Sequence, residues 1–254
     1  MKLNNLEKFR EKLDRGQFCV GAAVGLADAT VTELIARVGF DFVFIDGEHG
    51  DIDRQTAMHH LMAVDGTDTA SLYRVPCCSH VEIKKVIDFG PAGIIVPMVM
   101  NAEEAKLAVE AMRYPPLGNR GCGFRRGLEY GVADFNGYWE ASKRDPMTIV
   151  QLEHIDAYRD LDRILKVPGL DSILIGPYDF SASMGKAGQW DDPEVRRIFD
   201  DACRRIRAAG VYLGVSLDVR MEEWRARGAQ YMCVKGDMTA LVERFTEVLK
   251  EARR

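Results

Sequence analysis

The chain has 254 residues, of which 47% are hydrophobic and 29% charged, so it carries enough apolar side chains to bury a large core. Its 34 Lys and Arg residues against 39 Asp and Glu residues give a formal net charge of -5. This balance argues against nucleic acid and anionic membranes as partners, because both bind a concentrated basic face. The length suits one α/β barrel, and we expect a single domain over residues 1–254.

The N-terminal stretch, MKLNNLEKFREKLDRG, is polar and amphipathic and lacks the apolar segment of a signal peptide. No apolar run approaches the ~20 residues that a membrane-spanning helix needs. The cysteines form no C-x-x-C pair, and most lie in apolar runs, where a thiol behaves as a small hydrophobic group. These features predict a reducing, cytoplasmic location.

Short apolar runs rich in β-branched residues recur along the chain, and each precedes a loop and a segment of helical period. Runs that are apolar on both faces are typical of parallel strands covered by helices on both sides. Amphipathic helices are predicted at residues 101–112, 156–165 and 193–209. The predicted strands are residues 18–24, 42–46, 70–75, 93–99, 148–153, 172–176, 212–217 and 231–235.

Eight alternations of strand and helix predict a (β/α)8 TIM barrel with an additional N-terminal helix. The alternative is an open, doubly wound sheet, but no predicted strand runs into a G-x-G-x-x-G turn. Residues 113–144 form the one long connection, rich in Gly, Arg and aromatic residues. Such a loop on a barrel is typical of a functional segment or a subunit contact.

The active site of a barrel lies at the carboxyl ends of its strands, so the polar residues there are the candidates for chemistry. A group rich in carboxylates is costly to desolvate unless it binds something cationic. The strand-end polar residues are Asp46, Glu48, His49, Arg74, Gln151, Glu153, Asp179, Ser216, Asp218, Lys235 and Asp237.

Glu153 and Asp179 end consecutive predicted strands, which lie roughly 4.8 Å apart in a sheet. Two carboxylates with waters and a chelating substrate are typical of Mg2+ or Mn2+ sites. Gln151 shares a strand face with Glu153 and points into the same mouth. The alternative is that either acid caps a helix N-terminus.

His49 is the best candidate for a general base, held by nearby carboxylates Asp46 and Asp88. Arg74 ends the third strand and suits a carbonyl or enolate oxygen. The other four histidines are predicted to pack or to lie on the surface, and alternation turns His154 away from Glu153.

Lys235 suggests a rival chemistry, because Schiff-base aldolases also use a lysine on a barrel strand. Such a lysine needs a depressed pKa, whereas a neighbouring carboxylate such as Asp237 favours the charged form. We therefore favour a structural or substrate-binding role for Lys235.

Seven segments in order, FDFVFIDGEHG, SLYRV, IIVPMV, NAEEA, MRYPPLGNRGCG, VQLE and IGPYDFSASMG, resemble the HpcH/HpaI aldolases. These are class II, metal-dependent pyruvate aldolases, and the resemblance covers nearly the whole chain. It implies a lyase that cleaves a 4-hydroxy-2-oxo acid to pyruvate, or a related 2-oxo acid, and an aldehyde. It also implies a divalent cation (Mg2+, Mn2+ or Co2+) and a homohexamer with sites near subunit boundaries.

The resemblance assigns roles to individual residues. Glu153 and Asp179 are the implied metal ligands, and His49 the base, supported by Asp46 and Asp88. Arg74 would contact the keto or enolate oxygen. The implied substrate-binding residues are Gln151 and the turn Gly176, Pro177, Tyr178 and Asp179, in which Pro177 has no N–H to donate.

Four residues depart from the family's pattern and leave the aldehyde open: Ala23, His154, Tyr178 and Lys235. A citrate-synthase-like or decarboxylating enzyme that forms C–C bonds, and a Schiff-base aldolase using Lys235, stay as alternatives. So does a barrel that only binds a metabolite or partner.

Overall fold

The computed structural model describes residues 5–216 and 220–254. Their eight strands are parallel and close into one barrel in chain order, as the alternation predicts, and the open sheet is excluded. The strands are β1 (Cys19–Val24), β2 (Phe42–Asp46), β3 (Ala70–Arg74), β4 (Gly93–Val96), β5 (Met147–Leu152), β6 (Ser172–Ile175), β7 (Tyr212–Val215) and β8 (Tyr231–Gly236).

Helices surround the barrel, and α1 precedes its first strand. The helices are α1 (Leu6–Asp14), α2 (Thr30–Val38), α3 (Arg54–Ala63), α4 (His80–Ile87), α5 (Ala102–Met112), α6 (Phe135–Ala141), α7 (Ile155–Arg159), α8 (Leu161–Ile164), α9 (Pro177–Ser183), α10 (Pro193–Ala208), α11 (Met221–Ala226) and α12 (Asp237–Ala252). None of the described helices has the length and apolar character needed to cross a membrane.

One predicted helix and the long connection differ from the structure in their organisation. The helix predicted at residues 156–165 is divided into α7 and α8, because Asp160 (φ -96°, ψ 7°) leaves the helical conformation. The long connection at residues 113–144 is not wholly irregular, since it contains α6 and a 3-10 helix, Arg126–Gly131.

The fourth strand ends earlier than its apolar run suggests. β4 stops at Val96 rather than at residue 99, because Pro97 has no N–H for the sheet and Met98 takes a left-handed conformation with φ 50°. β5 likewise ends one residue early, so that Glu153 lies just beyond it. Residue 217, the predicted end of the seventh strand, lies outside the described residues.

Aromatic side chains fill the barrel at the amino ends of the strands. Phe9 of α1 packs against Phe42 and Tyr231, with ring centroids 5.6 to 5.7 Å apart, and all three are buried. Gly21 lies beside this group, and a Cβ atom there would overlap the ring of Phe42. These rings close the barrel at the amino ends of its strands, so the open mouth lies at the carboxyl ends.

The last helix leaves much of its apolar side uncovered. Val242 and Phe245 of α12 are 67% and 68% exposed, and Leu241 is also exposed. These residues recur at helical spacing on one face, which is typical of a surface that packs on something else.

We predict that Gly21→Ala lowers the free energy of unfolding by ~1–3 kcal/mol, because the added methyl group must displace a packed ring. Denaturant titration should show a lower midpoint than for the wild type. Gly121→Ala is the control, since a Cβ atom there would lie 3.6 Å from Lys84 Nζ, an ordinary contact. Equal midpoints for the two variants would contradict this packing.

Candidate active site

Side chains from several strand ends line a pocket of about 140 Å3 at the mouth of the barrel. Parallel strands bring their carboxyl ends to one side, so residues far apart in sequence meet there. The lining residues are Phe44, His49, Arg74, Gly176, Tyr178, Asp179, Ser216 and Cys233. Asp218, another strand-end candidate, lies outside the described residues.

Arg74 and Asp46 form the central ion pair of this mouth. Strand register places them side by side on β3 and β2, and Arg74 Nε and Nη2 donate to the two carboxylate oxygens at 2.9 and 2.6 Å. Arg74 is only 8% exposed, and its guanidinium lies 5.1 Å from the centre of the Phe44 ring. The pair is therefore bidentate and largely shielded from water.

The pair changes the pKa of both partners. Burial alone would raise the pKa of Asp46, but hydrogen bonds from Arg74 and from two backbone N–H groups bring it below its ordinary value. Burial alone would lower the pKa of Arg74, but Asp46 and Glu48 raise it. Arg74 is thus a permanent buried cation at the pocket.

Asp46 contacts the backbone of His49, whereas the prediction had it holding the side chain. Its Oδ1 atom accepts the backbone N–H of His49 at 3.2 Å and that of Glu48 at 3.0 Å, so it orders the turn after β2 and not the imidazole. The His49 side chain is 68% exposed and lines the pocket, with Nε2 3.9 Å from Glu48 Oε2.

Glu48 belongs to the site, although the sequence analysis assigned it no role. Its Oε2 atom lies 2.9 Å from Arg74 Nη1, outside hydrogen-bond geometry. Burial raises the pKa of Glu48, and the nearby charges of Asp46 and Asp179 add to this against the attraction of Arg74 and His49. The sequence signal that could have indicated this role is the position of Glu48, two residues after Asp46 in the same turn.

Gln151 and Glu153 share one strand face, as alternation predicts. Gln151 Nε2 donates to Glu153 Oε2 at 2.7 Å, and its Oε1 accepts from Arg74 Nη1 at 3.4 Å. The backbone N–H of Met98 donates to Glu153 Oε1 at 2.6 Å. A Cβ atom at residue 176 would lie 2.8 Å from Glu153 Oε2, so a side chain there would displace the Glu153 carboxylate.

Few favourable contacts stabilise a negative charge on Glu153. It is 3% exposed, and burial, followed by the negative charges of Glu48 and Asp179, raises its pKa to about 7 against the Met98 hydrogen bond and Arg74. It does not cap the next helix, because His154 Nδ1 accepts the N–H of Asp156 and caps α7. The helix-cap alternative is thus excluded for Glu153.

Asp179 lies in the first turn of α9, which starts at Pro177 with Gly176 as its N-cap. The first N–H groups of a helix have no acceptor inside it, so those of Tyr178 and Asp179 are available to a ligand. The charge of Asp179 raises the pKa of both Glu48 and Glu153, so the three carboxylates repel one another.

The acidic groups suit a hard divalent cation. In residues 5–216 and 220–254 no three His, Cys, Asp or Glu side chains gather closely enough to form a metal site by themselves. Mg2+ commonly takes only one or two protein carboxylates and completes its shell with water or substrate. Each oxygen of Glu153 accepts one hydrogen bond and keeps capacity for a second contact.

Asp88 contacts Arg120 within this chain, and its support of His49 stays a prediction. It lies at the end of α4 and accepts a hydrogen bond at 2.9 Å from Arg120 Nη2. Arg120 is buried and requires this carboxylate as its counter-ion. Nothing in the described part of the chain joins Asp88 to His49 by a hydrogen bond or an ion pair.

The contacts of Lys235 and Asp237 indicate structural roles and not catalytic ones. Lys235 Nζ lies 2.5 Å from Glu243 of α12, and Lys235 does not line the pocket. The Asp237 carboxylate accepts the backbone N–H groups of Gly25 and Leu26, both at 3.0 Å, and so fixes the loop after β1.

Comparisons with known proteins show which family this chain resembles. The family model described as HpcH/HpaI aldolase/citrate lyase matches residues 21–242. A hydroxypyruvate/pyruvate aldolase of Roseovarius nubinhibens is 34% identical over 96% of both chains. A 4-hydroxy-2-oxo-heptane-1,7-dioate aldolase of Klebsiella pneumoniae is 35% identical over 94% of this chain and 93% of its own. The solved structure of the citrate synthase SbnG superimposes with a TM-score of 0.86 at 27% identity, over 99% and 98% of the two chains.

The family match covers most of the chain, and the predicted resemblance is confirmed. The chain is an enzyme, a carbon–carbon lyase, and it belongs to the HpcH/HpaI aldolase/citrate lyase family.

Proposed function

We propose that this enzyme cleaves a 4-hydroxy-2-oxo acid reversibly into pyruvate, or a related 2-oxo acid, and an aldehyde. The observation that carries the proposal is a buried, permanently charged Arg74 that faces the same pocket as Asp179. Breaking the C3–C4 bond leaves negative charge on the C2 oxygen of an enolate, and a fixed cation stabilises that charge best in a shielded site.

The substrate carboxylate would bind at the start of α9. The N–H groups of Tyr178 and Asp179 donate to it there, and Pro177 and Gly176 shape the turn. The absence of a side chain at Gly176 lets the substrate approach Glu153 and Gln151 closely. Gln151, held between Glu153 and Arg74, orients the keto group.

Glu153 and Asp179 would hold the divalent cation, Mg2+, Mn2+ or Co2+. When bound, such an ion supplies Lewis acidity toward the keto oxygen and balances the repulsion among the carboxylates. This explains why a buried acid with a pKa raised to about 7 stands at the mouth.

His49 would take the proton of the 4-hydroxyl group, and this transfer releases the aldehyde as the C3–C4 bond breaks. Arg74 then donates to the enolate oxygen, while Asp46 keeps the guanidinium in place through two hydrogen bonds. The proton held by His49, passed directly or through water to C3, then yields pyruvate and restores the neutral imidazole. Within one chain, Asp88 is the counter-ion of Arg120.

A citrate-synthase-like or decarboxylating enzyme is the second candidate, favoured by the similarity to a citrate synthase. It would use the same enolate chemistry with a different donor or acceptor. A screen of oxaloacetate and acetyl-CoA against pyruvate with aldehydes separates the two. The Lys235 Schiff base is disfavoured by the ion pair with Glu243.

We also propose that residues 1–254 act as one catalytic domain in the cytoplasm, where the six free cysteines stay reduced. We propose a homo-oligomer, a hexamer in the family's manner, in which a second copy covers the exposed apolar face of α12. The partners are then small molecules and copies of this chain.

A pyruvate-release assay over 4-hydroxy-2-oxo acids tests the proposed function. We expect turnover that EDTA abolishes and Mn2+ restores, because without the cation the two carboxylates would repel the negative charge that develops on the enolate oxygen. Borohydride added with pyruvate should leave activity intact. Activity that survives EDTA and is lost to borohydride with labelling of Lys235 would establish the Schiff-base alternative instead.

We predict that Arg74→Ala lowers kcat by at least ~10²–10³, the usual cost of losing a preorganised charge at an oxyanion. Mn2+ affinity, measured by calorimetry, should persist, because Arg74 is not a ligand. Arg37→Ala, at an exposed arginine of α2, is the control and should behave as wild type. Arg74→Lys keeps the buried charge should the alanine variant fail to fold. Normal turnover in both Arg74 variants would reject the role.

We predict that Val242→Glu with Phe245→Arg reduces the molecular mass in light scattering, because charges on the exposed face of α12 oppose its burial. Lys250→Glu on the same helix is the control and should keep the wild-type mass. A wild-type chain that is already monomeric would contradict the proposed assembly.

A further inference from the structure

The position of the His49 imidazole depends on the backbone of residues 46–51, the turn after β2. The side chain is 68% exposed, and Glu48 Oε2 lies 3.9 Å from its Nε2. The closer contacts are on the backbone, where Asp46 Oδ1 accepts the N–H groups of Glu48 and His49. The N–H of Gly47 donates to Arg74 O at 3.0 Å. An exposed side chain follows the backbone that carries it, so the groups that hold this turn also place the imidazole.

The far end of the turn lies against the loop after β1. The backbone N–H of Asp51 donates to Gly25 O at 2.9 Å. A Cβ atom at Gly50 would lie 3.0 Å from Gly25 Cα and 2.4 Å from Asp46 O, so the two backbones meet with no room for a side chain. A displacement of Gly25 would therefore also displace the turn that carries His49.

Asp237, the first residue of α12, holds the loop after β1. Its Oδ2 atom accepts the backbone N–H groups of Gly25 and Leu26, both at 3.0 Å. Its Oδ1 atom accepts the N–H of Met238 at 2.7 Å. Asp237 is only 8% exposed, and a carboxylate forms stronger hydrogen bonds with N–H groups than a neutral acceptor does. These bonds tie the start of the last helix to a loop 212 residues away in sequence.

We propose that Asp237 is a positioning residue for the reaction, because it fixes the Gly25 loop against the turn that aims His49 into the pocket. The link runs from the Asp237 carboxylate to the N–H of Gly25, and from Gly25 O to the N–H of Asp51. This inference rests on the proposed aldol cleavage and adds to it a residue that acts on the base through the backbone.

The kinetic test compares Asp237→Ala with Asp134→Ala, which removes an exposed carboxylate that accepts two backbone N–H groups at the start of α6. In Asp237→Ala, kcat for pyruvate release should fall ~10–100-fold, since a misplacement of about 1 Å can cost ~10² in rate. KM and the affinity for Mn2+, measured by calorimetry, should stay near the wild-type values, because Arg74, Glu153 and Asp179 belong to other elements. Asp134→Ala should match the wild type in all three quantities.

A double-mutant cycle with His49→Ala separates positioning from a general loss of structure. If Asp237 acts through His49, Asp237→Ala lowers kcat in the wild-type background and leaves the residual kcat of His49→Ala unchanged. Rates are taken per Mn2+ site, so unfolded chains do not contribute. An equal loss in both backgrounds, or a wild-type kcat in Asp237→Ala, would overturn the inference.

Hydrogen exchange tests the same link without a substrate. In Asp237→Ala, residues 46–51 should exchange at least ~10-fold faster than in the wild type, because a lost hydrogen bond to a carboxylate lets the segment open more often. β5 should keep its wild-type rate. An unchanged rate at residues 46–51 would show that the link does not exist. A wild type that releases pyruvate from no 4-hydroxy-2-oxo acid would instead overturn the proposed function, and the exchange result distinguishes the two failures.

Discussion

The arrangement of the mouth depends on one buried cation. A guanidinium taken out of water is strongly unfavourable unless carboxylates compensate it, and Arg74 obtains this from Asp46 through two hydrogen bonds and from Glu48 through a close ion pair. Strand register makes the pairing possible, because β2 and β3 end side by side. The Arg74 side chain is consequently rigid, and it presents Nη1 to Gln151.

The negative charge of the mouth exceeds what Arg74 can balance. Burial raises the pKa values of Glu48 and Glu153, and Asp179 raises both further. Without a metal ion, the protein would relieve this repulsion by binding protons near neutral pH. A divalent cation would relieve it by coordination. The acids that repel one another thus suit a hard metal ion and a chelating oxo acid.

Packed side chains around the mouth hold this charge arrangement in place. The interior is plugged from below by Phe9, Phe42 and Tyr231, and the loop after β1 is fixed by Asp237. The upper rim, where Tyr178 packs on Trp190, is more exposed than the charges beneath it. Loops at the carboxyl ends of the strands are the usual place where barrel enzymes vary their chemistry.

The sequence by itself determined the barrel, its strand order, the family and most of the strand-end polar residues, because strand–helix alternation and residue order are local patterns. It also placed Gln151 and Glu153 on one face, since side chains alternate along a strand. Only the tertiary structure decided the partners of those residues. Asp88 pairs with Arg120, Lys235 with Glu243 and Glu48 with Arg74. Charged side chains pair with the opposite charge that the packed fold brings nearest, and no local sequence pattern encodes that distance.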